Sequence, residues 1–136
     1  MNLLPFYPWM HLAGRLLVGI TLVVMGGNHL AAFAGVKRVP SIEGASTAGP
    51  AVALSGGMML VGGLLLALGW HRFIGAGLVV VFCPLAGLLT HAPWRQTDPI
   101  LRQNAQAHLL KNFALAGAAL FMAVYAGTWW PMSLGG

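Results

Sequence analysis

Four runs of apolar residues, each close to the roughly 20 helical residues needed to cross about 30 Å of hydrocarbon, occupy most of this chain. They extend from about Leu12 to Ala34, Gly49 to Leu68, Arg72 to His91 and Ala107 to Gly127. A chain of 136 residues could bury a respectable core in water, but its composition argues against water as its only solvent. Only 7% of its residues are charged, against roughly 25% in an average soluble domain, so there is too little charge to coat a globule. The expected fold is all-α: an integral membrane, antiparallel four-helix bundle forming one domain over residues 1–136. A formal charge of +5, spread over several connections, reads as a topology signal, and no nucleic-acid partner is expected. One cysteine, Cys83, excludes an intrachain disulfide framework and a cysteine-based zinc site.

The connections follow from the spans. Gly35 to Ala48 is polar and turn-rich, and Trp70-His71 leaves room only for a tight hairpin between the second and third helices. Asp98-Pro99 is a helix start, with Asp as N-cap and Pro where no N–H is needed, so the fourth helix begins near Pro99 and runs inward. Met1 to Met10 holds no Lys or Arg, and Arg15 lies inside the apolar run, so the first helix reads as a retained anchor rather than a cleaved signal. Lys37, Arg38, Arg95 and Arg102, with Lys111 just inside, lie on one side, against Arg72 and a shallow Arg15 on the other. The positive-inside rule then places both termini outside a bacterial-type inner membrane. Trp9, Trp70, Trp129 and Trp130 all fall on the terminal side, as an interfacial belt.

Leucine gains nothing against leucine that lipid does not offer, so association of the helices needs close backbone approach or polar contact. Gly49, Ala53 and Gly57 form a small-residue seam on the second helix, with Gly56 and Gly63 on a neighbouring face, and Ala119, Ala123 and Gly127 form one on the fourth. Such Gly/Ala faces suit packing within the bundle or a homodimer. Pro84 removes one helical hydrogen bond beside Cys83.

The polar residues within the spans point to a site. Asn28 and His29 lie near the end of the first helix, His91 ends the third, and Asn104, His108, Lys111 and Asn112 share one face at the start of the fourth. In an antiparallel bundle these ends meet, so Asn28, His29, His91, His108, Lys111 and Asn112 converge as a pocket at the cytoplasmic end. Lys111 is about 24 Å along the helix from Gly127, hence shallow. Ionisable side chains at membrane depth mark pathways or ligand sites. The competing readings are plain: Lys111 snorkels to headgroups, His91 is an interfacial residue, and the asparagines are interhelical glue. His11 and His71 read as ordinary boundary residues at the other interface.

His, Lys and Asn could hydrogen-bond the carbonyl oxygens of a quinone, the cofactor this pocket suits best. A haem between His29 and His91 or His108 is disfavoured, because these histidines lie at helix ends rather than deep in the bundle. No metal-ligand spacing, phosphate loop or catalytic triad is present, and Glu43 and Asp98 sit in separate connections.

The opening helix, with Arg15-Leu16-Leu17-Val18-Gly19 and Gly26-Gly27-Asn28-His29-Leu30, resembles the first helix of the DoxX family. Leu110-Lys111-Asn112-Phe113-Ala114-Leu115-Ala116-Gly117 is similar to that family's fourth-helix signature, and the second helix, from Gly56-Gly57 to Gly62-Gly63, is glycine-rich in the same way. The resemblance covers about residues 12 to 127, and His29 stands where many members have Lys. It implies a four-helix membrane fold and an association with membrane redox chemistry, as a subunit of a quinone-linked oxidoreductase or a partner of a soluble redox enzyme. The alternative is a non-enzymatic membrane anchor or assembly factor.

Overall fold

The structure is a computed structural model that describes residues 4–34, 49–90 and 92–135. After a single 3-10 turn at Leu4–Phe6, four helices follow: α1 Tyr7–Phe33, α2 Gly49–Leu68, α3 Arg72–Thr90 and α4 Pro99–Val124, with a second 3-10 turn at Pro93–Arg95 before α4. They form an antiparallel bundle in which α1 packs on α2, α2 on α3 and α3 on α4, while α1 and α4 are not a closely packed pair.

The bundle is apolar on the outside as well as the inside. Leu22, Met59, Leu66, Val79, Cys83 and Ala119 form the core, yet Leu17, Leu54, Val81, Phe121 and Val124 stand fully exposed on the outer faces. Water would not tolerate so continuous an apolar surface on a small monomer, whereas lipid wets it at no cost. α1, α4 and the segment from α3 into the following turn are long and apolar enough to span, and the shorter Val52–Leu68 stretch is apolar along its length. The chain is a multi-pass membrane protein.

Sequence and structure differ at the helix ends. α1 starts at Tyr7 rather than near Leu12, because Pro8 fits the first turn of a helix, where its missing N–H is not needed. α4 stops at Val124, not Gly127, and residues 125–135 turn back over the end of the bundle. Its start is as the sequence implies: the backbone N–H groups of Ile100 and Leu101 both donate to Asp98 Oδ1 at 2.9 Å. Between α2 and α3 the chain closes in three residues. Gly69 takes a left-handed φ of +66°, and the N–H groups of Gly69 and Trp70 donate back to the carbonyls of Leu66 and Leu65 at 3.2 and 3.0 Å, a Schellman closure.

Of the two small-residue faces on α2, the one with Gly56 and Gly63 makes the contact, and the one with Gly57 does not. Gly57 faces open space, and the touching glycines are Gly19 against Gly63 and Gly26 against Gly56. Seven residues separate the pair on each helix, close to two full turns, so both contacts fall on one stripe and the two backbones meet along it. A β-carbon on Gly19 would stand 2.6 Å from the Gly63 carbonyl oxygen, and one on Gly26 would stand 2.6 Å from the Leu60 nitrogen.

Candidate functional site

The residues expected to converge do so in part. His91, like the Gly35 to Ala48 connection, lies outside the described residues. Asn104 is exposed and takes no part in the cluster. Asn28 is half-buried at the end of α1. His29 lies one turn from the end of α1, and Lys111 and Asn112 lie midway along α4, where Asn112 meets Gly87 in the last turn of α3. The group therefore sits toward the end of the bundle at which α1 and α3 finish, while the first half of α4 runs on past it.

On α4, Lys111 Nζ lies 3.4 Å from His108 Nδ1. An ammonium can only donate, so His108 Nδ1 accepts and its ring proton sits on Nε2. On the other side, Ser55 of α2 gives its single hydroxyl proton to the Val52 carbonyl at 2.9 Å. It is therefore the acceptor in its 3.3 Å contact with His29 Nδ1, and His29 Nδ1 carries the proton. The two imidazoles thus have opposite tautomers, with the ring proton on Nε2 in His108 and on Nδ1 in His29. The charge of Lys111 reaches both His29 on α1 and the buried thiol of Cys83 on α3. Asn112 is buried against Gly87 of α3, where a β-carbon on the glycine would touch the Asn112 β-carbon at 3.4 Å.

The arrangement offers an ammonium on α4 and an imidazole lone pair on α1, on two helices that do not interlock. It can hydrogen-bond a carbonyl-bearing ligand. Among the described residues, no three His, Cys, Asp or Glu side chains gather as a metal site. No family model, curated protein or solved structure matches the chain.

Residues that the sequence reading set aside form a second polar group at the other end. Arg15, read as shallow, is 2% exposed, and its Nη2 donates to the Met132 carbonyl of the returning C-terminal segment. Trp130, read as part of the interfacial belt, is 2% exposed and plugs the end of the bundle, while Trp9, Trp70 and Trp129 remain exposed. His11, read as a boundary residue, lies edge-on to Trp130 with ring centroids 4.9 Å apart. The available signal was an arginine inside an apolar run with no acid near it in sequence, followed far downstream by a Trp-Pro that cannot extend α4.

Proposed function

We propose that this chain is a DoxX-like membrane subunit of a quinone-linked redox complex, and that its loop-side end receives a quinone headgroup. The observation that carries the proposal is the position of Lys111: beside His108 on its own helix, and within electrostatic reach of His29 across the bundle. Lys111 would donate to one quinone oxygen, and His29 Nε2 would relay in turn the two protons that accompany two-electron reduction to the quinol. Electrons would come from a partner subunit or a soluble redox enzyme. The membrane is proposed to be a bacterial-type inner membrane with the termini outside, which places this end at the cytoplasm.

The test is quinone retention by the chain purified from native membranes, with rebinding of a short-tailed benzoquinone. Lys111→Ala and His108→Ala are expected to weaken binding at least roughly tenfold while the helical signal stays intact, since the first removes the donor and the second the imidazole that holds it in place. Equal binding by both variants would overturn the proposal.

One observation favours a second reading, a non-enzymatic anchor or assembly factor. His29 is paired with Ser55, and Lys111 with His108, so these groups also serve as a polar knot that fixes packing. Undiminished co-purification of a partner protein with the Lys111→Ala chain, with no quinone in the wild type, would select that reading.

A further inference from the structure

Burying a charge without a counter-charge costs several kcal/mol by general estimates, and folded proteins pair such groups. Arg15 departs from this rule. One of its nitrogens reaches the Met132 carbonyl, while Nε and Nη1 are buried with no partner. One helical turn earlier, His11 Nδ1 is also buried and unpartnered. Asp98, the only acid among the described residues, caps α4 at the opposite end of the bundle.

A second guanidinium stands close by. Arg72 lies over the face of Trp130, 5.3 Å from the ring centroid, and donates to the Thr128 carbonyl at 2.7 Å. Its charge acts on both Arg15 and His11. Arg72 and His11 both pack on the Trp130 indole while Arg15 reaches the neighbouring Met132 carbonyl, and two guanidinium charges held this close repel one another unless an anion lies among them. Arg72 also lines an open pocket of about 410 Å³, together with Trp70, His71, Phe73 and Gly135. Arg15 does not itself line this pocket but lies behind the α2–α3 turn, where a β-carbon on Gly69 would stand 2.8 Å from Arg15 Nη1 and one on the pocket residue Gly135 would stand 3.2 Å from the Gly69 carbonyl oxygen.

We propose that this end of the bundle binds a phosphate-class oxyanion between Arg15 and Arg72, entering by the pocket beside Gly69. Guanidinium groups suit phosphate oxygens in number and geometry of donors. The site lies at the level of the exposed Trp9, Trp70 and Trp129, where lipid phosphates sit, and exposed Phe73 and Ile74 lie beside Arg72 where an acyl chain would run. The phosphate could belong to a lipid headgroup or to a free anion. This site is remote from the Lys111 cluster and does not depend on the quinone reading.

The test is thermal unfolding of the full chain in neutral detergent after delipidation, with phosphatidylglycerol, phosphatidylcholine or inorganic phosphate added separately. Wild type is compared with Arg15→Met and with Arg72→Gln, which keeps the test decisive should the first variant fail to fold. Saturating anion is expected to raise the wild-type Tm by about 5 °C through preferential binding to the folded state, and by less than half of that in either variant. A rise with phosphatidylglycerol alone assigns a lipid headgroup; a rise with inorganic phosphate assigns a free anion. No rise with any of the three, or an equal rise in wild type and the variants that fold, overturns the proposal.

Discussion

The two ends of the bundle handle their polar groups in opposite ways. At the loop side, His29 leans on Ser55, Lys111 on His108, and Asn112 is packed against Gly87. At the terminal side, Arg15 is buried more completely than either histidine of the loop-side group but leaves two nitrogens without partners. Among the described residues, the polar groups of the first end are held by side chains of the helices themselves. The second is closed by a segment beyond the last helix, anchored where the Leu134 N–H donates to the Leu68 carbonyl at 2.9 Å and the Trp130 indole N–H to the Tyr125 carbonyl at 2.8 Å. Polar groups within spans can pair with neighbours at the same depth, whereas a charge covered by a return of the chain relies on whatever that cover brings.

Variants that act on one end only will sharpen this contrast. Trp130→Ala removes the plug over Arg15 and is expected to cost about 3 to 5 kcal/mol in unfolding free energy, with the loop-side cluster unaffected in quinone retention. Gly63→Leu breaks the contrast from the middle. Its β-carbon would meet the Gly19 carbonyl at 2.7 Å, a backbone atom that cannot swing aside, so α1 must leave α2 and both ends fail at a cost of about 3 kcal/mol.

Arg15→Met tests the sign. With no phosphate-class anion added, removal of an uncompensated buried charge is expected to leave stability unchanged or raise it by about 1 to 2 kcal/mol, as replacement of buried ionic groups by apolar ones often does. A clear loss would show that the Met132 contact already balances the guanidinium. Asp98→Ala touches only the loop side. Loss of its two cap hydrogen bonds should lower stability by about 1 kcal/mol, read as a small drop in Tm with unchanged anion response.

The sequence made the loop side legible and the terminal side opaque, for physical reasons. Asp98-Pro99 states a helix start through local chemistry, and His108 and Lys111 share a face by helical spacing, so α4 and its polar group follow from short-range rules. Both small-residue faces of α2 are visible in the sequence, but only the antiparallel crossing with α1 decides that the Gly56–Gly63 face packs and the Gly57 face, about 100° round the helix, stays open. Arg15 seemed shallow because depth was counted from Leu12. The helix begins at Tyr7, and what covers Arg15 comes from more than a hundred residues away in sequence. No local pattern announces that a segment after α4 turns back.

The account stands on an even number of crossings that puts Arg15 and the Lys111 group at opposite faces of the bilayer. Single cysteines introduced at the exposed positions Phe6, Thr97 and Leu134, in a Cys83→Ser background, can be tested in intact cells with a membrane-impermeant maleimide. Labelling of Phe6→Cys and Leu134→Cys from one face and of Thr97→Cys from the other is the expected result. Labelling of Thr97→Cys from the same face as the other two would contradict it.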